Sequence, residues 1–254
     1  MLAEQRRTLV LDMLAETGSV SVAELTQRLG VSRETIRRDL TRLAAENRLL
    51  RTHGGALSAD RQEPALAKRV EVNMAGKRAI GRLAASMVPD GSSLIIDSGT
   101  TTICVAQALE RRRRLTVLTN DIHVAACLAG RNDNRVLLLG GEIQGAEGAT
   151  MGPDSLAMLD NYFADLAFVG ASALSPHPWL MDYSRGAAEL RSRMLVTART
   201  PVLLADRTKF NLTAPVRVAN LDKVAHLITD AVPQGDMAGA IGTLAAELRV
   251  AGAI

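Results

Sequence analysis

The sequence predicts two folding units of different class: a winged helix-turn-helix over 3–57 and, beyond a linker at 58–75, a mainly parallel α/β domain over 76–254. Three observations predict it. The first stretch carries three helical segments, punctuated by hydroxyl residues and glycines, and then a short strand with paired glycines. From Lys77 the pattern becomes short apolar runs alternating with amphipathic segments, the mark of a parallel sheet covered by helices. Between the two lies "SADRQEPALAKRVEVNM", with no clean period, a Pro64 and room for a short helix near its end.

"EQRRTLVLDMLAE", residues 4–16, places Leu9, Val10, Met13 and Leu14 at helical spacing, and Gly18 closes that helix. Ser21 is suited to cap the next helix by accepting from a free N–H of the first turn, and Glu24 stands where a capping box needs it. Leu25 and Leu29 supply the apolar face, and Gly30 stops the helix. Ser32 caps a third helix, "SRETIRRDLTRLAAEN", whose Ile36, Leu40 and Leu43 line one side. "RLLRTHGGAL" then reads as a strand, with Gly54-Gly55 as a tight turn. In the second unit "KRAIGRLAASMV" is a helix, "SSLIID" a strand and "SGTTTICVAQAL" a loop opening a helix. "LTVLTN", "RVLLLGG", "DLAFVGASA", "PVLLAD" and "VAHLITD" are further buried strands, and "DIHVAACLA" and "SRGAAELRSRMLVTAR" are helical. The run Arg111 to Arg114 reads as a solvated loop.

The third helix poses the functional question. With Ile36, Leu40 and Leu43 inward, its far side presents Glu34, Arg38 and Thr41, flanked by Thr35, Arg37 and Arg42, with Ser32 and Arg33 at its start. A basic, hydroxylated outer face behind a helix and a tight turn fits a recognition helix in a major groove. Arginine suits the task because its planar fork bonds guanine edges in pairs or grips phosphate. Glu34 and Asp39 can accept from cytosine, or pair with the arginines and hold them in place. The plain reading is a surface helix with charge pairs one turn apart. The helix, helix, turn, helix, wing order favours the reading of duplex DNA.

Composition narrows the classes. Aromatics are only 2% of the chain, which argues against base-stacking recognition of single strands. The net charge is +3, a mild excess whose distribution matters more than its sum. The start "MLAEQRRTLV" has no apolar stretch behind its charges, so no secretory signal is expected. No run reaches the roughly 18 apolar residues of a membrane span. Cys104 and Cys127 read as reduced residues of a cytosolic protein, and the four histidines form no metal-ligand pattern, so neither metal nor cofactor is expected.

"VS" at 31–32, "TIRRDL" at 35–40 and "RTHGGA" at 51–56 resemble the N-terminal domain of the DeoR family of bacterial transcription regulators. Beyond the linker, "KRAIGRLAA", "IIDSGTTT", "LTN", "LLLGG", "FVGAS", "ADRTKF" and "LITD" follow in the order of that family's effector domain, so the resemblance covers nearly the whole chain. It implies an effector domain similar to the ribose-5-phosphate isomerase and CoA-transferase class of α/β folds. It also implies a wing in which Arg51 and His53 approach DNA.

In "IIDSGTTTIC" a strand feeds a turn at a helix start. Gly99 allows close backbone approach, Ser98, Thr100, Thr101 and Thr102 offer hydroxyls, and the free N–H groups of a first helical turn suit a phosphate. The same pattern also serves as plain helix capping. Asp97 ends its strand, where it can bond a sugar hydroxyl or fix the turn. Thr119, Asn120, Gly140, Gly141, Gly170, Ser172 and Asp206 also end strands, and Lys209 beyond Asp206 is a candidate phosphate or hydroxyl partner. Glu189 matches a position where the family carries an acid near the effector, while the family's lysine two residues on is here Arg191. The segment with Trp179 and Tyr183 is expected to carry effector selectivity.

The related isomerases place acids after the strand that here runs into Ala171, Ser172 and Ala173, so no general base stands there. Glu142 is the nearby glutamate a CoA-transferase would need as its nucleophile, and the resemblance gives it no such role. The expectation is therefore a cytoplasmic, homo-oligomeric transcription regulator and not an enzyme. It would repress a carbohydrate or polyol operon and leave double-stranded operator DNA when a phosphorylated sugar binds. The alternatives are an activator or dual regulator of the same architecture, or a sugar-phosphate isomerase-like enzyme.

Overall fold

A computed structural model describes residues 2–17, 19–46, 48–52, 55–58, 63–144, 147–176 and 179–252. The chain divides into two compact units, Met1–Glu63 and Pro64–Ile254.

The first unit runs α1 (Ala3–Thr17), β1 (Ser19–Ser21), α2 (Val22–Leu29), α3 (Arg33–Ala45), β2 (Leu49–Thr52) and β3 (Gly55–Ser58). Local chemistry sets the helix ends. Ser21 Oγ accepts from the Glu24 amide at 3.0 Å and Ser32 Oγ from the Thr35 amide at 3.2 Å. Gly30 closes α2 in the left-handed conformation, φ +64°, where a glycine pays no side-chain penalty. Val10, Leu14, Leu25, Ile36, Leu40, Leu43 and Leu49 form one buried core, so the apolar spacing of each helix is its inward face. The strand β1 was not expected. It pairs antiparallel with β3, which pairs with β2, and the wing is a three-stranded sheet. Gly55 is therefore a strand residue opposite Ser21, where a Cβ would collide with the Val20 carbonyl. Close approach of β1, more than a turn, is what requires the glycine there; Gly18, Asn47, His53 and Gly54 lie outside the described residues.

The second unit begins with α4 (Leu66–Glu71) and α5 (Met74–Ser86), then β4 (Ser93–Ile96), α6 (Thr100–Ala108), β5 (Thr116–Thr119), α7 (Ile122–Leu128) and β6 (Arg135–Leu138). It continues with β7 (Glu142–Gln144), β8 (Ala149–Met151), α8 (Pro153–Leu159), β9 (Ala164–Gly170), β10 (Ala173–Leu174), β11 (Leu180–Asp182), α9 (Arg185–Met194) and β12 (Ala198–Leu204). Last come β13 (Val216–Arg217), β14 (His226–Thr229), α10 (Gly235–Gly242) and β15 (Glu247–Val250). The expected linker at 58–75 thus gives way at Pro64 to chain that belongs to the second unit, because α4 is tied to it by side chains: Arg69 pairs with Glu147 and Leu66 N–H donates to Glu147 Oε1 at 3.2 Å. Helix α9 stops at Met194, and Ala198 and Arg199, expected to be helical, already lie in β12.

A seven-stranded sheet of order β15-β14-β12-β9-β4-β5-β6 is parallel throughout. Alternating residues of β4 face opposite layers. Leu94 and Ile96 join Ile80, Ala84, Val105 and Val124 of α5, α6 and α7. Ile95 joins Leu159, Leu190, Met194 and Met237 of α8, α9 and α10. Such strands, covered on both faces, read as continuous apolar runs. The chain builds outward from β4 through β5 and β6, then returns to β9 and builds the other way. The crevice between the carboxyl ends of β4 and β9 is therefore the switch point where ligands of open α/β sheets bind. Two small antiparallel sheets, β7-β8 and β10-β11-β13, were not expected; strands of two or three residues give no period to read.

Candidate functional site

On α3 the structure separates core from surface as the helical period requires. Ile36, Leu40 and Leu43 are buried, while Arg33, Glu34, Arg37, Arg38, Thr41 and Arg42 are exposed and Thr35 is half-buried. Glu34 accepts from Arg38 Nε at 3.4 Å, and Glu46 from Arg42 Nε at 3.2 Å. Arg33 and Arg37 make no ion pair among the described residues. The Ser32 hydroxyl caps the helix and lies 2.9 Å from the Thr35 hydroxyl, so both are engaged locally. Four arginines and a threonine thus share one solvated face, held on a helix whose other side is fixed in the core.

Asp39 is a correction. It stands behind that face, 5% exposed, and accepts from Arg6 Nε of α1 at 2.5 Å. The carboxylate bond raises the Arg6 pKa against the opposing effect of burial. The pair joins α1 to α3 and is a structural tie, not a reader of bases. Arg51 lies on β2, and His53 lies outside the described residues.

In the second unit the end of β4 carries a buried polar cluster. Asp97 Oδ2 accepts from the Gly170 amide at 3.0 Å and from Arg191 Nε at 2.8 Å. The Arg191 guanidinium also donates to Ser172 Oγ at 2.7 Å and to Asp182 Oδ2. One arginine of α9 thereby links the ends of β4 and β11 and the loop after β9. Burial pushes the Asp97 carboxyl above its ordinary range, and the Arg191 charge opposes that shift. Asp97, Asp182 and Arg191 are all at least 96% buried, with two carboxylates on one guanidinium. The sequence reading found Asp97 and Ser172 but missed Asp182 and the hub role of Arg191. Asp182 brings a carboxylate to the region where Ala171, Ser172 and Ala173 have none, and its bond to Arg191 holds it fixed.

Beside this cluster, the Ser98–Thr101 turn opens α6. Gly99 has φ +139° and ψ 168°, a region open essentially to glycine alone, and α6 has no side-chain cap. The Gly99 amide is not open to a ligand as expected, because it donates to Asp121 Oδ2 at 3.2 Å. Nor is the Thr102 hydroxyl, which donates to Gly99 O at 2.8 Å. What remains is the Thr100 and Thr101 hydroxyls and the amides of the first helical turn, which have no partner within a helix. Asp121 caps α7 through His123 N and Val124 N; burial raises its pKa and these amide bonds lower it. Thr119 is buried with its hydroxyl accepting from the Asp121 amide. Asn120 is fully buried; its Nδ2 donates to Ser98 Oγ at 3.4 Å and Thr150 O at 3.1 Å, and its Oδ1 has no partner.

The remaining candidates spread outward. Gly140 and Gly141 are exposed at the end of β6, and the Gly140 carbonyl accepts from Ser155. Asp206 ends β12, fully buried, with Oδ1 accepting from Thr208 and Asn73 and Oδ2 without a partner. Lys209 closes the single helical turn after it and is half-buried. Glu189 is a correction. It is on the exposed side of α9, where it accepts from Arg185 Nε at 2.7 Å, one helical turn away. Arg191, two residues on, points to the opposite, buried side, which is why a helix cannot bring both to one cluster. Trp179 packs partly buried against the main core and Tyr183 against Ala173, Met181 and Ala214.

Residues 6–62 match the family model described as DeoR-like helix-turn-helix domain, and residues 72–231 match the one described as DeoR C terminal sensor domain. The chain belongs to the DeoR family. It is a DNA-binding transcription regulator with a small-molecule sensor domain, and not an enzyme. This DeoR-family chain is 32% identical over 230 residues to the glycerol-3-phosphate regulon repressor of Escherichia coli (strain K12), covering 90% of this chain and 91% of the relative. It is 31% identical to the HTH-type transcriptional repressor GlcR of Bacillus subtilis (strain 168), over 92% and 90% of the two chains. Among solved structures, ribose 5 phosphate isomerase A from Neisseria gonorrhoeae is similar over 54% of this chain and 53% of its own, at 17% identity and a TM-score of 0.38. Among the described residues no helix is long and apolar enough to cross a membrane, and no group of His, Cys, Asp and Glu could hold a metal ion.

Proposed function

We propose that this DeoR-family regulator is a cytoplasmic, homo-oligomeric repressor of a carbohydrate or polyol operon, and that a phosphorylated sugar releases it from its operator. The first turn of α6 carries the reading: two threonine hydroxyls and unbonded amides gathered beside the switch point of a parallel sheet, the chemistry that holds a phosphate. The Escherichia coli relative, a glycerol-3-phosphate regulon repressor, supports a phosphorylated effector for this chain. Ser98, Thr100 and Thr101 would meet the phosphate end, and Asn120 Oδ1, an acceptor without a partner, would take a proton from a ligand hydroxyl. Asp97, held by Arg191, would meet hydroxyls of the sugar. Ser32 at the cap of α3 and Arg33, Glu34, Thr35, Arg37, Arg38, Thr41 and Arg42 on its outer side, with Arg51 and His53 of the wing, would read the operator, Arg38 at base edges and Arg51 on phosphate. In the oligomer two such helices would enter successive major grooves, and the effector would favour an arrangement that no longer fits the operator.

A thermal-shift series on the full chain tests the effector class. Phosphorylated sugars should raise Tm while their unphosphorylated parents do not. At a hundredfold excess over Kd, a ligand of the native state alone adds about 2.7 kcal/mol. Equal shifts by the parents would rule out the phosphate.

A further inference from the structure

We propose that the outer edge of β15 is the seam at which two copies of this chain join, the two strands running antiparallel with Leu248 on the two-fold axis. The inference rests on the homo-oligomeric reading and names the surface that carries it. Strand β15 ends the seven-stranded sheet and pairs only with β14 among the described residues. Its Glu247 and Ala251 amides donate inward, to Ala225 O at 2.8 Å and Thr229 O at 2.7 Å. Backbone groups alternate in direction along the strand, so the N–H and C=O of Leu248 and Val250 point outward, away from β14. Their side chains are 37% and 39% exposed. Open backbone groups flanked by apolar side chains are a template for another strand.

The pattern of side chains chooses the partner and the register. Leu248 pairs with Leu227, whose side chain lies in the core under α10, and Arg249 pairs with Ile228, whose side chain lies in the core under α5. Glu247 and Arg249 thus project on the α5 side, Leu248 and Val250 on the α10 side. A two-fold axis normal to the sheet keeps these sides matched only when it passes through a residue, because a slip of one position sets charged against apolar. An axis through Glu247 opposes two carboxylates, and one through Arg249 opposes two guanidiniums; like charges directly opposite are destabilising. An axis through Leu248 sets Glu247 against the partner's Arg249, and Arg249 against the partner's Glu247. These fall in pairs without mutual hydrogen bonds, where side chains approach most closely. In the same register Leu248 exchanges backbone bonds with the partner's Leu248, and Val250 with the partner's Ala246.

Charges on an edge strand commonly keep other strands away. Here their signs alternate, so they oppose two registers and favour one. Within one copy Arg249 already donates to both carboxylate oxygens of Glu247, each at 3.1 Å, so the two side chains stand on the same side of the strand with their charged ends together. Across the axis the same groups would form a four-charge cluster of alternating sign. The opposite edge of the sheet carries no such code. Strand β6 reads "RVLL", with Arg135 its only charged residue, and no register of that strand on itself pairs opposite charges.

The test is sedimentation equilibrium of the full chain over a range of concentrations, with charge reversals at the seam. Glu247→Arg sets arginine against arginine and Arg249→Glu sets glutamate against glutamate, so each variant alone should self-associate at least tenfold more weakly than the wild type. An equimolar mixture of the two should regain the wild-type mass, because every pair across the mixed seam is again opposite in sign. The double variant Glu247→Arg/Arg249→Glu should regain it too. Wild-type mass in both single variants overturns the seam and leaves the oligomer standing. Losses that neither mixing nor the double variant restores overturn the pairing of 247 with 249. A wild type that is monomeric at every concentration overturns the oligomer, and the seam with it. If a single variant does not fold, Leu248→Pro decides: proline is tolerated on an edge strand whose N–H faces outward, and it removes the bonds at the axis. Unchanged mass in Leu248→Pro overturns the proposal.

Discussion

Arg191 of α9 donates to Asp97 at the end of β4 at 2.8 Å, across 94 positions of sequence, with both side chains at least 95% buried. Asp182 and Ser172 share the same guanidinium. Arg191→Met would leave two carboxylates buried without a cation, and removing one partner of a buried pair costs about 3–5 kcal/mol. Urea unfolding should show that loss. Arg191→Lys should lose less, because it keeps the charge but not the planar fork that reaches three acceptors. A loss below about 1 kcal/mol for Arg191→Met, the scale of a surface pair, would mean the cluster is hydrated in solution.

Arg6 and Asp39 make the corresponding tie in the first unit, at 2.5 Å. Either Arg6→Met or Asp39→Leu alone should destabilise by about 3–5 kcal/mol, while the two together should come out near neutral, because no charge is then left buried. A double-mutant cycle read by denaturation measures the coupling. Additive losses would show that the two side chains act independently.

Asp165 accepts from the Ser93 amide at 2.9 Å and its hydroxyl at 2.7 Å, joining the starts of β9 and β4. These bonds hold its pKa below the ordinary carboxylate value. A depressed folded pKa gives stabilisation that is present above the unfolded value, about 3.9, and lost as pH falls through the lower folded value. Asp165→Asn should therefore cost about 1 kcal/mol near neutral pH and nothing in strong acid. A difference that grows on acidification would reverse the assigned sign.

For DNA, Arg38→Ala should lower affinity for the operator more than for random sequence, by about 1–3 kcal/mol of discrimination if the arginine bonds a base edge. Arg51→Ala should weaken both alike and flatten the salt dependence, as a phosphate contact does. Fluorescence anisotropy at several salt concentrations separates the two. Equal losses for Arg38→Ala on both DNAs would place it on phosphate.

What could be read in advance follows from distance along the chain. Ile36, Leu40 and Leu43, and the caps Ser21 and Ser32, are local signals, and they landed where the period and the hydroxyls put them. Asp97, Asn120 and Gly170 lie near one another, as expected, because strand ends in a parallel sheet converge whatever its order. The partners that matter most were hidden. Arg6 and Asp39 lie 33 positions apart, and Arg191 and Asp97 lie 94 apart, so their pairing depends on packing that periodicity does not encode. Lys77 is 1% exposed, and nothing in the local pattern of "GKRAIGR" sets it apart from the exposed Arg78 beside it. Glu189 failed for the opposite reason: two residues from Arg191 along a helix is nearly the far side.

One measurement bears most directly on the account: anisotropy of a labelled operator fragment, selected from random DNA, with the full-length protein and its Gly99→Val variant, titrated with sugar phosphates and their unphosphorylated parents. Valine cannot adopt φ +139° without about 1–3 kcal/mol of strain, yet only Thr102 Oγ1 lies near its Cβ, so the variant should fold with a distorted turn. The account predicts that a phosphorylated sugar dissociates the wild-type complex, that its parent does not, and that Gly99→Val binds the operator equally well but no longer responds. Release by the parent sugar at the same concentration, or loss of operator binding by a folded Gly99→Val protein, would contradict it.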